Sequence, residues 1–272
     1  MADKRPIGVF DSGLGGLTVV RELLNFLPEE DIVYFGDTDR VPYGTKSSET
    51  IRKFARQDEA FLLSKDVKLI IAACGTVSSV ASDIGAELPV PYIEVVSHAS
   101  KAAAEATRNG RIGVIGTNAT INNGAHERLI KSMLPDATVV NVGCPLFVPL
   151  VEDGWYSAED PVVLGVTSKY LKPIIDAGCD TIILGCTHYP ILMEAIRKTV
   201  GNSVALINMG VSTARAVRNE LKLRDLLNED NAPAVRELFV SDKTPAFRQV
   251  AEILLGDRID DSDVSVVDVS RI

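Results

Sequence analysis

The chain has 272 residues, of which 46% are hydrophobic, and its 28 Lys and Arg against 37 Asp and Glu give a formal net charge of −9. This apolar fraction excludes a disordered protein, and the acidic balance argues against a nonspecific nucleic-acid surface. No segment approaches the roughly 20 apolar residues of a membrane span, and the N-terminal MADKRPIGVF lacks the apolar run of a signal peptide. We therefore expect a soluble, cytoplasmic protein of one or two domains with a small-molecule partner, and no nucleic-acid or membrane partner.

Short apolar runs rich in β-branched residues alternate along the chain with longer segments of helical periodicity. In chain order, the runs are residues 7–10, 32–35, 67–72, 90–95, 112–115, 138–142, 181–184, 204–207 and 238–240. Several of them lack in–out alternation, which is typical of strands buried on both faces. Apolar stripes at helical spacing fall between the runs, at Ile51, Phe54, Ala55, Phe61 and Leu62 and again at Val163, Val166, Tyr170 and Ile174. The alternation predicts an α/β fold with mainly parallel sheets flanked by helices.

Two segments of the chain recur weakly in its second half. Residues 7–12 (IGVFDS) resemble residues 112–117 (IGVIGT), and residues 70–76 (IIAACGT) resemble residues 182–188 (IILGCTH). Each is an apolar strand that runs into a small polar turn, and the pairs keep the same order. The pattern suggests two related α/β halves. If these halves face each other, the cysteines that end the second pair of strands confront one another across a cleft.

The chain has four cysteines, at positions 74, 144, 179 and 186, and none of them forms a CxxC pair. Scattered cysteines in a chain of this size indicate reduced thiols rather than a disulfide framework. We interpret Cys179 as a packing residue at a helix end. Cys144 precedes Pro145 at a predicted strand end, which leaves it open between packing and lining a site.

Polar turns follow five of the predicted strands, at residues 11–16, 42–44, 74–76, 117–120 and 186–188. In parallel sheets, ligands bind beyond the carboxyl ends of the strands, where helix N-termini direct N–H groups towards them. These turns supply hydroxyls, N–H donors, two thiols, a carboxylate and an imidazole. The sequence therefore predicts a small-molecule site at this edge of the sheets.

The first of these turns has three glycines but does not match a nucleotide-binding motif. Position 18 is Thr where G-x-G-x-x-G requires Gly, and no Walker sequence is present. A zinc site would have one short ligand pair, Cys186 and His188, where structural zinc sites use two. We therefore expect no nucleotide cofactor and no metal, and we interpret the glycines as a tight strand-to-helix turn.

The two repeated thiols suit acid–base chemistry at a carbon atom. Cys74 and Cys186 are each predicted at a helix N-terminus, where the thiolate is stabilised and the pKa of a cysteine falls from about 8.5. One ionised and one protonated thiol on opposite sides of a carbon can remove a proton from one face and deliver one to the other. This chemistry is racemisation or epimerisation. Asp11 and His188 are the candidates that assist the thiols, with Glu152 as a third.

Six segments of the sequence are recognisable together: GVFDSGLGGLTV (8–19), YFGDTDRVPYG (34–44), ACGTVSS (73–79), IGVIGTNATI (112–121), CPLFVPLVE (144–152) and LGCTHYP (184–190). On these motifs the chain resembles the glutamate racemases of the cofactor-independent aspartate/glutamate racemase superfamily. The segments keep the order and spacing of that family and cover about the first 210 residues. DSGxGG and GCTHYP are each specific alone.

The resemblance implies two pseudo-symmetric α/β domains with the active site in the cleft between them. Residues 1–97 together with 208–272 would form the first domain, and residues 98–207 the second. It further implies interconversion of L- and D-glutamate without pyridoxal phosphate, metal or nucleotide, and the supply of D-glutamate for bacterial peptidoglycan. Homodimers are common in the family, so we also expect a homodimer.

The resemblance also assigns site residues, motif by motif. Cys74 and Cys186 correspond to the two catalytic thiols of the family, and Asp11 and His188 to the residues that assist them. The residues expected to hold the substrate are Asp11, Ser12, Tyr43, Gly44, Gly75, Thr76, Thr117, Thr120, Thr187 and His188. Among these, Gly75 offers a backbone N–H alone.

The sequence departs from the family pattern at three places. Gly75 stands where the family usually has Asn, Val41 stands where Cys is frequent, and residues 208–210 are NMG where DSG is frequent. Loss of a charge-assisted hydrogen bond costs about 1.5–3 kcal/mol unless a neighbour or a water replaces it, so Gly75 bears on substrate preference. Aspartate or broader amino-acid racemisation is therefore the enzymatic alternative. The other alternative is a non-catalytic amino-acid-binding or regulatory protein of the same fold, and retention of both thiols argues against it.

Overall fold

The computed structural model describes residues 3–229, 234–244 and 246–271. These residues form ten β-strands: β1 (Ile7–Asp11), β2 (Ile32–Gly36), β3 (Leu69–Ala72), β4 (Tyr92–Glu94), β5 (Arg111–Gly116), β6 (Thr138–Gly143), β7 (Thr181–Gly185), β8 (Ala205–Asn208), β9 (Arg236–Val240) and β10 (Val264–Val266). Each of the nine predicted apolar runs overlaps a strand. Among the described strands, β10 alone lies outside those runs.

Helices alternate with the strands, as the periodicity predicts. They are α1 (Leu17–Phe26), α2 (Ser48–Leu63), α3 (Gly75–Val80), α4 (Val95–Ala106), α5 (Asn118–Asn123), α6 (Ala125–Met133), α7 (Phe147–Glu152), α8 (Pro161–Asp176), α9 (Met193–Val200), α10 (Met209–Leu223) and α11 (Phe247–Leu255). In the ranges that the structure describes, no helix has the length and apolar character needed to span a bilayer.

The two predicted apolar stripes lie on the two longest of these helices, α2 and α8. Capping side chains fix where both helices begin: Ser47 accepts a hydrogen bond from the Thr50 N–H, and Asp160 accepts one from the Val162 N–H. The stripe residues that become fully buried are Ile51, Ala55, Phe61 and Leu62 on α2 and Val163 and Ile174 on α8. Burial of these faces against the sheets holds the helices in place.

The strands form two parallel sheets, of order β10-β9-β2-β1-β3-β4 and β6-β5-β7-β8. The order β2-β1-β3-β4 in the first sheet repeats as β6-β5-β7-β8 in the second. The weak sequence repeat follows this correspondence, because its first pair lies on β1 and β5 and its second pair on β3 and β7. The prediction of two related α/β halves is therefore confirmed by the strand order, and β9 and β10 extend the first sheet.

The first sheet is buried on both faces, which explains why its strands lack in–out alternation. Ile7 and Val9 of β1 pack into one apolar cluster, whereas Phe10 packs into another on the opposite face. The first cluster continues through α1, α4 and α10, which pack together, into the second half. The halves therefore share a continuous core behind the carboxyl ends of their strands.

The first sheet takes its strands from residues 7–94 and 236–266, and the second takes its strands from residues 111–208. The chain thus enters the second half once and returns to the first through α10. The domain boundaries expected from the sequence, after residues 97 and 207, stay a prediction.

Candidate active site

The carboxyl ends of β1, β3, β5 and β7 border one cavity of about 540 Å³ that is lined from both halves of the molecule. This volume lies in the range of small-molecule sites. All the residues that were assigned a catalytic or substrate-binding role line it: Asp11, Ser12, Tyr43, Gly44, Cys74, Gly75, Thr76, Thr117, Thr120, Glu152, Cys186, Thr187 and His188. The strand-end site is therefore assembled as a single cavity.

Cys74 follows β3 and is the N-cap residue of α3. Its thiol donates a hydrogen bond to the Ser12 hydroxyl oxygen at 3.3 Å. The lowered pKa expected from the sequence is wrong for this residue, because burial and then the Asp11 carboxylate raise the pKa of Cys74 to about 12. Hydrogen bonds with Ser12 and with the Val77 N–H act in the opposite direction, but they do not outweigh desolvation. Cys74 is therefore a protonated thiol at neutral pH, which suits a proton donor.

Asp11 is the last residue of β1 and is buried. One carboxylate oxygen accepts a hydrogen bond from the Gly13 N–H at 3.2 Å, within the turn that leads to α1. Burial raises the pKa of Asp11, while attraction to His188 and the N–H groups of the turn oppose the rise. A carboxylate with a raised pKa near Cys74 is a group that can share a proton with the thiol or with a bound ammonium.

Cys186 follows β7 and lies in a different electrostatic environment. Its sulfur is 3.9 Å from Nδ1 of His188, and Nε2 of that ring is 2.9 Å from a Glu152 carboxylate oxygen. Burial disfavours the charged imidazole, but the hydrogen bonds with Cys186 and Glu152 outweigh this effect and raise the pKa of His188 to about 10. His188 is therefore cationic at neutral pH, and a cation beside a cysteine is the neighbour that a thiolate base needs.

The helix that the sequence predicts at Cys186 begins later than expected. A 3₁₀ turn, Tyr189–Leu192, comes first, and α9 starts at Met193. The Tyr189 N–H donates to the Cys186 carbonyl, so the chain already turns away at this point. The positive charge at the second thiol is that of His188, whose ring Glu152 holds, and no α-helix begins at Cys186.

We expect Glu152→Gln to lower the melting temperature at pH 7, because it removes the carboxylate that stabilises cationic His188. The folded-state pKa of about 10 lies above the ordinary His value, so the stabilisation is fully present below about pH 6.5 and disappears as the pH rises through 10. Thermal unfolding of wild type and variant between pH 6 and pH 11 measures the difference. An unchanged difference at pH 11 would show that the pair does not involve cationic His188.

The turn that follows β1 and the start of α1 contact the turn that bears Cys186. The Thr18 hydroxyl, from α1, donates to the Thr187 carbonyl at 2.7 Å. A Cβ atom on Gly15 would lie 2.0 Å from the Thr187 hydroxyl oxygen and 2.8 Å from the His188 ring. The glycines predicted as a tight turn therefore have a second role, because the absent side chain lets the first half approach His188.

Gly75 also lies where the two halves meet. A Cβ atom at this position would be 3.0 Å from the Gly185 carbonyl oxygen, 3.7 Å from the Thr120 hydroxyl and 3.8 Å from the terminal methyl of Met209. Met209 is buried and reaches towards the space that an Asn side chain at position 75 would occupy. Two departures from the family pattern, at positions 75 and 209, are therefore neighbours in space.

Hydroxyl donors stand at the start of α5, opposite Gly75. Thr117 is the N-cap residue, and its hydroxyl oxygen accepts a hydrogen bond from the Thr120 N–H at 3.3 Å. The two hydroxyl groups are 3.1 Å apart, so one can donate to the other and leave a proton free for a ligand. With the N–H groups that open α3, they form the polar side of the cavity.

Tyr43 and Gly44 belong to a 3₁₀ turn, Tyr43–Thr45, that lines another wall. The Tyr43 hydroxyl is engaged outside the cavity, since it bonds to Asp37 and, at 3.1 Å, to Asp58. Neither carboxyl group lines the cavity. Any contact of Tyr43 with a ligand is therefore made by its backbone or ring.

Several residues that line the cavity were not among the site residues expected from the sequence. Asn118 and Ala119 come from the start of α5, and Pro145, Val148 and Pro149 form an apolar strip at α7. All of them lie inside the recognised motifs IGVIGTNATI and CPLFVPLVE, which is the signal that points to them. Apolar residues at a helix start otherwise have the pattern of ordinary packing.

Cys144 and Cys179 are buried, and neither lines the cavity. Cys179 thus packs as predicted. The Cys144 thiol faces the Val142 carbonyl at 3.6 Å, and burial raises its pKa to about 12, so this residue also packs. Across the described ranges, no group of three or more His, Cys, Asp or Glu side chains is arranged to hold a metal ion.

The cavity thus brings together a protonated thiol from one half and, from the other half, a second thiol beside a cationic imidazole. Such a pair can take a proton from one face of a carbon atom and return one to the other face. The fold and the cavity suit an α/β isomerase that works by acid–base chemistry.

Comparison with known proteins agrees with this class. The model of the Asp/Glu/hydantoin racemase family matches residues 7–217. Curated glutamate racemases from Geobacter metallireducens and Neisseria meningitidis serogroup A are similar, the first 43% identical over 259 residues (94% of this chain, 95% of the relative) and the second 46% identical over 255 residues (93% of each). The chain belongs to the Asp/Glu/hydantoin racemase family.

Solved structures show the same architecture over the whole chain. The crystal structure of glutamate racemase from Francisella tularensis in complex with D-glutamate superposes with a TM-score of 0.90 at 39% identity, covering 99% of this chain and 100% of that chain. The predicted fold, with two parallel-sheet α/β domains flanked by helices, is therefore confirmed.

Proposed function

We propose that the protein interconverts L- and D-glutamate, with Cys74 and Cys186 as the two acid–base groups. The observation that carries this proposal is that the two thiols end equivalent strands, β3 and β7, of two repeated halves and line one cavity. The Francisella tularensis relative, whose crystal structure contains D-glutamate, supports glutamate as the substrate.

The proton transfer needs both thiols in either direction. One thiolate takes the α-proton, the bonding electron pair stays on the α-carbon, and the opposite thiol delivers its proton to the other face. After one turnover the two cysteines have exchanged protonation states, and the reverse reaction restores them. Asp11 assists Cys74, while His188, held by Glu152, assists Cys186. No cofactor or metal takes part in the proposed step.

An anionic substrate is captured by local donors in spite of the acidic chain. Ser12, Thr76, Thr117 and Thr120 bring hydroxyl groups to the cavity, and the opening turn of α3 brings N–H groups, including that of Gly75. Donors aimed at the α-carboxylate stabilise the negative charge that develops when the α-proton leaves.

The wider role follows the resemblance. We propose that the product D-glutamate supplies peptidoglycan synthesis, that the protein is a homodimer, and that residues 1–97 with 208–272 and residues 98–207 form its two domains. A cytoplasmic location is supported by the chemistry, because catalytic thiols must stay reduced and the four cysteines are all free.

The test is racemisation by the purified protein with a metal chelator and no added cofactor. L-Glutamate and D-glutamate are incubated separately, and circular dichroism of the amino acid follows the loss of optical activity. We expect both solutions to converge on the racemate and L-aspartate, one methylene shorter, to react at least about tenfold more slowly. Unchanged optical activity in both glutamate solutions would contradict the proposal. A faster reaction of aspartate than of glutamate would show that aspartate is the preferred substrate.

A further inference from the structure

The Tyr43–Gly44 wall of the cavity has little regular structure of its own. It belongs to the loop between β2 and α2, which contains two short 3₁₀ turns, Thr38–Arg40 and Tyr43–Thr45. Such a loop needs side-chain contacts to hold its backbone at a fixed distance from a substrate. A buried polar cluster directly behind the wall provides them.

Arg40 is the cation of this cluster. Its guanidinium donates to Asp37 at 2.6 Å, to Asp58 at 2.9 Å and to the Gln57 side-chain oxygen at 2.6 Å, and it stacks 4.1 Å above the Phe54 ring. Asp58, Gln57 and Phe54 all lie on α2. The arginine therefore ties the loop to a long helix that packs on the first sheet.

Asp37 is the acceptor on which the contacts converge. It is fully buried and accepts hydrogen bonds from Arg40, from the Tyr43 hydroxyl and, at 2.9 Å, from the Ser241 hydroxyl. Ser241 follows β9 and accepts in turn from the Asp39 N–H at 2.8 Å. The loop is thus bound on both sides, to α2 and to the end of a strand from the last part of the chain.

Asp58 completes the cluster in a neutral form. It is fully buried, and burial, with Asp37 adding to the effect and Arg40 opposing it, raises the pKa of Asp58 well above its ordinary range. A protonated Asp58 donates to the Tyr43 oxygen at 3.1 Å, and Tyr43 passes its own proton on to Asp37. The Arg40 guanidinium and the Tyr43 hydroxyl thus each contact both Asp37 and Asp58.

We propose that Asp37, Arg40 and Asp58 are positioning residues, which hold the Tyr43–Gly44 wall at the distance that binds the substrate, with Asp37 as the acceptor on which the contacts converge. The proposal rests on the function proposed above and adds to it the residues that set the affinity of this wall. None of the three lines the cavity, so they act through Tyr43.

Two substitutions separate the roles of the carboxyl groups. Asp37→Asn removes the anionic acceptor from Arg40 and Tyr43, and we expect KM for glutamate to rise about tenfold with kcat within about threefold, since the wall binds substrate and transition state alike. Asp58→Asn keeps a neutral group that donates to Tyr43 and accepts from Arg40, so we expect KM within about twofold of wild type.

Tyr43→Phe provides a third variant that does not disturb the buried charges. It removes a hydroxyl that is bonded behind the wall, and we expect it to raise KM as Asp37→Asn does. Asp83→Asn is the matched control, because it breaks an exposed ion pair between Arg52 of α2 and Asp83, and its KM should equal that of wild type.

Steady-state kinetics and calorimetric binding of D-glutamate are measured on all four variants after circular dichroism has verified their folding. The proposal is overturned if Asp37→Asn and Tyr43→Phe both keep the wild-type KM, even with lowered melting temperatures, or if Asp58→Asn raises KM as much as Asp37→Asn. If the wild-type protein binds D-glutamate without racemising it, only the proposed function is contradicted. The dissociation constants of the variants then test the positioning role.

Discussion

Cys74→Ser and Cys186→Ser should each lower kcat for glutamate racemisation by about 100-fold to 10,000-fold, the range that general acid–base groups contribute. A serine hydroxyl is too weak an acid to exchange a proton with the α-carbon at neutral pH. Since each direction of the reaction uses one thiol as base and the other as acid, either substitution stops both directions. Initial rates from L-glutamate and from D-glutamate, followed by circular dichroism, measure the loss.

Cys179→Ser is the matched control for this experiment. Cys179 is also buried, but it lies outside the cavity, so the variant should keep its activity while losing some stability. Full racemisation by Cys74→Ser or by Cys186→Ser would remove that cysteine from the proposed mechanism. Equal losses in all three variants would point to a general effect of the substitution on folding.

Gly15→Ala should lower the activity, because the added methyl group displaces His188 of the second half of the molecule. The added methyl would lie 2.0 Å from the Thr187 hydroxyl and 2.8 Å from the His188 ring, which Glu152 holds from the other side. Thr187 can rotate, but the imidazole must move, and misplacing a catalytic group by about 1 Å costs on the order of 100-fold in rate. Overpacking of this kind also costs about 1–3 kcal/mol of stability.

Gly165→Ala is the matching control, since a Cβ atom at position 165, on α8, would meet no atom within 4 Å. The control should keep full activity and gain up to about 1 kcal/mol from the better helix propensity of alanine. Kinetics and thermal unfolding of the two variants provide the comparison. A Gly15→Ala protein with wild-type kcat would show that the close packing on His188 is unimportant for catalysis.

Much of the fold follows from local pattern. Nine apolar runs gave nine strands because strands buried on both faces need continuous apolar sequence. The repeat of IGVFDS and IIAACGT was visible because the equivalent strands of both halves end in turns of similar chemistry. The strand β10 has three residues, of which Val266 is exposed, and a segment so short carries no periodic signal.

The site residues could be predicted from the sequence for a related reason, because a strand end followed by polar residues marks a binding edge in any parallel sheet. The protonation state of Cys74 could not be predicted from the sequence. Helix position favours the thiolate, but burial beside Asp11 outweighs it, and the degree of burial depends on how the two halves close.

Contacts between segments that are distant in the sequence could not be predicted either. Asp58 has the position of an ordinary polar residue on α2, and its pairing with Arg40, 18 positions earlier, exists only once the helix packs beside the loop. In the same way, Gly75 and Met209 look like independent departures from the family pattern. Their proximity shows that an apolar group borders the space of the missing Asn side chain.

Proton transfer by two bases on opposite faces is tested most directly by racemisation of L-glutamate in deuterium oxide, with the α-position of each enantiomer followed separately by mass spectrometry. At low conversion, the D-glutamate formed should carry deuterium, because the donating thiol exchanges its proton with solvent, while the remaining L-glutamate stays unlabelled. Deuterium that enters the L-glutamate pool as fast as the product would mean that one group acts on both faces, and would contradict the two-thiol mechanism.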